Sequence, residues 1–222
     1  MLGITQGNFG GTFDTAGGLR VTGGSSGTLI LTGTHEYSGG TTIDAGHTLQ
    51  LGNYTTTGSI LGDVVNNGQL VFVRTDDHSF DGVISGIGGV ENRSGELTLT
   101  GINTYQGGTR LESGTIVVSK DENLGAASGG ITFGGDFAVL KFANGFTSNR
   151  NIASTGVAAG FDTNGNDATL GGVISGSGGL FKEGLGTLTL TNTSTYSGFT
   201  EVIRGGLRVN GSIAGSEVTV DT

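Results

Sequence analysis

A chain of 222 residues with 47 Gly, no Pro, no Cys and no Trp, and a net charge of −9, excludes several classes at once. Disulfide stapling is impossible, Gly lacks the three-residue period of collagen, no Lys/Arg cluster offers a nucleic-acid footprint, and no apolar run is long enough to span a bilayer as a helix. The hydrophobic residues, 34% of the chain, alternate with polar ones, which separates it from a flexible Gly/Ser linker and points to half-buried strands.

In chain order, the opening MLGITQGNFGG has neither the basic start nor the apolar core of a signal peptide. Gly23–Gly27, GGSSG, matches the pattern of a hydrolase nucleophile elbow around Ser25, but no helix-forming segment follows it, so it reads as a turn. Residues 27–43, GTLILTGTHEYSGGTTI, predict inward positions at Leu29, Leu31 and Ile43, and HTLQLG from His47 adds Leu49 and Leu51. Asn67-Gly68 and, much later, Asn210-Gly211 have the composition of two-residue hairpin turns. The stretch RTDDHSFD gathers Asp76, Asp77 and Asp81 around His78 and is expected to be a solvated loop. It is the sharpest acidic cluster, but glycoside chemistry needs a second carboxylate at a set distance and a groove, and no partner cluster is present.

Residues 95–111, GELTLTGINTYQGGTRL, repeat the first stretch: Leu97, Leu99, Thr109 and Leu111 point in, and Thr98, Thr100, Arg110 and Glu112 point out. GTIVVS from Gly114 places Ile116 and Val118 inside. SKDENLGAAS, 119–128, alone has helical leanings and is expected to protrude as a contact point. Asp162–Asp167, DTNGND, resembles the start of a calcium loop but has Asp167 and Val173 where Gly and Glu are needed, so an Asn-rich turn is expected. Residues 186–202, GTLTLTNTSTYSGFTEV, are the third copy, with Leu188, Leu190, Val202, Leu207 and Val209 inside and Arg204 and Arg208 outside. GVISGIGG at Gly82 and GVISGSGG at Gly172 precede the second and third copies, each after a Phe-Asp pair, Phe80-Asp81 and Phe161-Asp162.

A chain that says the same thing three times calls for a repeat architecture. An all-β sandwich and a solenoid both fit short strands with turns about every eight residues; repetition and the lack of Pro favour the solenoid, a parallel β-helix of roughly ten coils of ~20–25 residues, about 50 Å long. Tyr37, Tyr105 and Tyr196 hold equivalent places before a Gly turn. They are expected to cover a coil edge with the hydroxyl reaching solvent or backbone, rather than to form a sugar-binding row. The separations of 68 and 91 residues rule out adjacent coils for them, and equally for Thr98/Thr100 and Thr189/Thr191 as an ice-binding face.

The run Phe161–Val202, together with GTLILTGTHEYSGGTTIDAGHTLQLG and ENLGAASGGITFGG, resembles the passenger-associated transport repeat of bacterial autotransporters. Phe199 and Thr200, where the first copy has Gly40 and Thr41, depart mildly from it. The resemblance implies an all-β, right-handed parallel β-helix exported through the outer membrane to the cell surface, its partners being its own C-terminal β-barrel translocator and a host-cell or matrix ligand. Residues 1–222 are expected to be one β-helical segment cut from a longer passenger, with no internal boundary. A polysaccharide-cleaving β-helix enzyme is the alternative. His35, His47 and His78 lack metal-ligand spacing, and no catalytic, cofactor-binding or metal-binding residue is assigned.

Overall fold

The computed structural model describes residues 2–4, 7–9, 17–213 and 215–221. Short strands alternate with Gly corners, and every strand pairing among the described residues is parallel. The result is a solenoid of about ten coils.

Three ladders of inward side chains run along it. The first stacks Leu29, Leu49, Leu70, Val90, Thr109, Ile131, Ile152 and Ile174. The second stacks His78, Leu97, Ile116, Leu140, Phe161, Lys182 and Val202. The third begins with Leu19, Thr41, Val64 and Ile84 and continues later with Ser148, Leu170, Leu190 and Val209. Between these two parts the coil is looser: Thr104 N donates to Ile84 O and Asn103 N to Glu122 O. The chain visits the ladders in turn, as in Ile152, Phe161, Leu170 and then Ile174, Lys182, Leu190. Each coil thus buries its inner row on its neighbours, and inner strands have no free edge.

The alternation is as read from the sequence: Leu97, Leu99, Leu188 and Leu190 are buried. Thr98 and Thr189, expected in solvent, are half-buried. They do face outward, but each lies between outer-row neighbours, Ser79 and Val117 for Thr98, Thr169 and Arg208 for Thr189. Leu207 packs half-buried against the core and Val209 is exposed, because the described ladder stops there and covers each on one side.

Several local expectations need correction. Asn67-Gly68 and Asn210-Gly211 are not hairpins but corners: Gly68 N donates to Asn66 Oδ1, and Gly211 N reaches back to Leu190 O. The stretch 119–128 does not protrude. Its 3-10 turn, Asp121–Leu124, buries Asn123 and Leu124, and Asn123 accepts from Ser119 N and Lys120 N while donating to Thr100 O and Gly101 O. RTDDHSFD is no loop; it forms most of a bulged strand, Gln69–Phe80. Phe80 pairs with Leu99, whereas Phe161 pairs with Lys182 in another ladder, so the two Phe-Asp pairs are not equivalent; Leu170-Gly171 holds the place of Phe80-Asp81.

The tyrosines lie inside rather than over an edge, and each hydroxyl sits 2.6 Å from the Thr Oγ1 four residues on: Tyr37–Thr41, Tyr105–Thr109 and Tyr196–Thr200. The packing role holds, with the hydroxyl directed to a Thr side chain instead of a coil edge. The Gly between them explains the rest of the motif. A Cβ on Gly39, Gly107 or Gly198 would come closer than 3.0 Å to the backbone of the Gly pair one coil earlier, Gly17-Gly18, Gly88-Gly89 or Gly178-Gly179. Two motifs that looked separate, the Gly pair and the Tyr corner, are thus two layers of one corner. Gly40 and Gly108 complete it with φ of 72° and 79°; Phe199 replaces them without entering that region and lays its ring against Gly179. Thr41, Thr109 and Thr200 fall in the third, first and second ladders. The three copies therefore build three different sides of the solenoid.

Candidate functional site

The suspected acidic cluster disperses on the strand. Arg74 grips the Asp76 carboxylate with Nε at 3.0 Å and Nη2 at 2.8 Å, while also donating to Gly58 O and Thr56 O. These bonds hold Asp76 below the usual carboxylate range. Hydroxyls of Ser79 at 2.7 Å and Thr100 at 2.9 Å do the same for Asp81. Asp77 is exposed, and His78 turns inward beside the Phe72 ring, its pKa lowered chiefly by burial. Asp76, Asp77 and Asp81 thus do not converge as a carboxylate pair on a substrate space.

The other candidates are similarly occupied. Asp162 Oδ1 accepts from Asn164 N at 2.7 Å, closing an Asx turn, and Asp167 Oδ1 accepts from Thr187 N at 2.7 Å. Ser25 is an exposed turn residue with no helix after it. His35, His47 and His78 stay apart, and among the described residues no group of His, Cys, Asp and Glu is placed to hold a metal.

Besides Arg74, sequence reasoning missed two more buried cations, Lys182 and Arg150. Lys182 is 0% exposed in the second ladder, between Phe161 and Val202. Its three ammonium protons go to the carbonyls of Glu183 (2.7 Å), Gly184 (2.8 Å) and Arg204 (3.1 Å), tying its own corner to the next coil. Desolvation lowers its pKa against the pull of Asp162, Asp167 and Glu183. Arg150, 2% exposed, pairs with Asp121 at 2.9 Å and donates to the carbonyls of Asp121, Gly125, Ala126 and Gly129, which docks the 119–128 stretch.

A surface feature with room for a ligand lies beside Lys182, on the outer face. Small residues Ala158, Gly160 and Gly179 leave a trough there. The Phe181 ring lies over Gly160 and the Phe199 ring over Gly179. Phe137 and Val157 rise beside them, giving an apolar groove of about 250 Å³ rimmed by Asp136, Glu183 and Glu201. Through Glu183 and Ile203 it runs into a polar hollow of about 530 Å³ lined by Asp162, Asn164 and Arg204. Nothing in the groove is arranged as a nucleophile and base; its means are apolar contact and negative charge.

The fold defines a class: a repeat-built parallel β-solenoid. Three stretches, residues 25–51, 94–118 and 180–209, match the passenger-associated-transport-repeat family. The chain is also 34% identical over 123 residues, 55% of its length, to a protein of Brucella suis biovar 1 (strain 1330) named "Adhesin BmaC autotransporter". It spans 4% of that relative's length. No solved structure matches it. These matches make the chain similar to passenger sequence of bacterial autotransporters.

Proposed function

We propose that this solenoid is a segment of passenger stalk that assists its own export across the outer membrane and presents an adhesive or interaction surface outside the cell. The observation that carries the reading is the stacking: Leu190 is buried only because Leu170 and Val209 flank it, so each coil gains its burial from the coil already in place. In a solenoid whose stability is largely a sum of neighbour terms, accretion of coils biases an emerging chain outward. The composition suits such a passage: no disulfide locks the chain and no prolyl isomerisation, slow by tens of seconds, stalls a coil. On this reading residues 1–222 form one continuous stretch of a longer passenger, whose partners are its own β-barrel translocator and a surface or matrix ligand. The relative's name supports the adhesive part. The reading is not enzymatic, and the engagement of Asp76 by Arg74 and of Asp81 by two hydroxyls supports it.

The test is surface display of the full-length secreted protein. If coils nearer the C-terminus seed folding, Leu190→Asp lowers display more than Leu31→Asp, both being buried repeat-equivalent leucines. Protease accessibility on intact cells reports display, with total expression as the control. Equal display, or a worse result for Leu31→Asp, overturns the seeding role.

A further inference from the structure

The groove beside Lys182 combines three features that packing alone does not require. Phe137 stands 82% exposed, with φ at +57°, a left-handed backbone that a bulky side chain adopts at a cost. Phe199 is exposed too, where the first two copies of the corner have Gly. The rim carboxylates Asp136, Glu183 and Glu201 form no salt bridge among the described residues, although six bridges are made elsewhere on the solenoid. Asp162 extends the acidic rim into the adjoining hollow, which Arg204 also lines, with the Lys182 ammonium buried below and Lys141 one coil away. Exposed aromatic rings, one of them on a left-handed backbone, beside carboxylates that form no salt bridge make a surface with an unmet apolar contact and outward-facing negative charge.

We propose that this groove binds a basic peptide segment of a partner protein, with one aromatic or aliphatic side chain seated between Phe137, Phe181 and Phe199 and flanking Lys or Arg side chains on Asp136, Glu183 and Glu201. Charge complementarity selects this occupant: the chain carries a net −9, and the groove concentrates that sign around an apolar slot about the size of one large side chain. A central apolar anchor within a charged rim is the usual anatomy of a peptide site. The exposed rings of Phe137 and Phe199 offer their faces for cation–π contact with the flanking cations. The proposal deepens the reading of the solenoid as a displayed interaction surface, by giving that surface a partner class. Purified protein tests it, so its failure leaves the export experiment standing and the reverse also holds.

The experiment is an NMR titration of the isotope-labelled chain with the peptide KKFKK, with KKAKK and EEFEE as controls. KKFKK is expected to shift amides of residues 136–137, 157, 179–185 and 199–204 and to leave the opposite sides unmoved. KKAKK and EEFEE are expected to bind at least about tenfold more weakly, as are the variants Phe137→Gly and Glu201→Gln with KKFKK. Raising salt from about 0.05 M to about 0.5 M should weaken KKFKK severalfold. Unchanged resonances away from the groove show that each variant is folded; Phe137→Gly suits the left-handed backbone, and Glu201→Gln keeps the side-chain shape. The proposal is overturned if KKFKK shifts nothing, if its shifts spread along the solenoid and survive both variants, or if EEFEE binds as well. It is also overturned if simple sugars move the groove amides and KKFKK does not, which makes the site a carbohydrate platform.

Discussion

The Tyr105 hydroxyl and Thr109 Oγ1 meet at 2.6 Å in a fully buried corner, and the Thr109 hydroxyl reaches on to Leu124 O at 3.4 Å. With the Thr proton directed to that carbonyl, the tyrosine is the donor. The same contact in the other copies makes it the clasp that fixes strand after corner. Removing both partners should therefore cost less than the sum of removing each alone. Tyr105→Phe and Thr109→Val are each expected to destabilise, with a coupling of ~1 kcal/mol in a double-mutant cycle read from urea unfolding. A coupling indistinguishable from zero makes the Tyr–Thr pair incidental to the corner.

The inner and outer rows should respond differently to truncation. Leu99→Ala removes a buried side chain from between stacked neighbours and should cost ~2–5 kcal/mol. Thr98→Ala should stay within about ±0.5 kcal/mol, since its half-covered outer position has no core contact to lose. Equal shifts of the urea midpoint contradict the assignment of faces.

The alternation that fixes these faces was legible because a strand keeps its period of two, as Leu97 and Leu99 show at the end of the eleven-residue strand Gly89–Leu99. It does not survive a corner, so the direction of the tyrosines was not legible. Their partners were, in retrospect, four residues away in every copy. Lys182 carried a signal, since it follows Leu180 by two residues and so shares its face, although an amine reads as outward on composition alone. Arg150 had no such cue, lying in a turn before Ile152. The groove was illegible for another reason: its rings at 137, 181 and 199 come from three coils, and only the stack brings them together. Nor did the copies announce that they occupy different ladders, because like-on-like stacking is the default expectation for a repeat.

Lys182 should be costly to replace even by a side chain of similar length. Lys182→Met retains most of the apolar stem but leaves three carbonyls without their donor, and is expected to cost ~1–3 kcal/mol. Lys141→Met loses a partly exposed bridge to Glu96 at 3.3 Å and should cost about 0–1 kcal/mol. Comparable losses in calorimetry mean that water replaces the ammonium at no cost.

Stability should fall in mild acid. Burial lowers the folded pKa of His35 and His78 below the ordinary 6.5, so the unfolded chain binds protons first as pH drops. The contribution is complete above that unfolded value and is lost as pH falls from it through the lower folded value. Asp44, Asp76 and Asp81 are held below the carboxylate range, so their own losses come at lower pH. The urea midpoint is expected to decline between about pH 7.5 and pH 5.5, and His35→Asn with His78→Leu, residues used at the equivalent corner and next in the ladder, should flatten the decline. An undiminished slope in that double variant assigns the effect elsewhere.

Because the three Tyr corners sit on three different sides, their separations of 68 and 91 residues each amount to whole coils plus one side. A duplicated stretch of gene therefore does not have to return to the side it came from. It needs only to land at any bend of the triangle, carrying its Gly pair one layer below. The unit that evolution can copy is then a third of a coil rather than a coil. A passenger assembled from such units can lengthen or shorten by unequal crossing-over and still close on itself, while each insertion turns the outer surface by one side and shows a different sequence in the same direction.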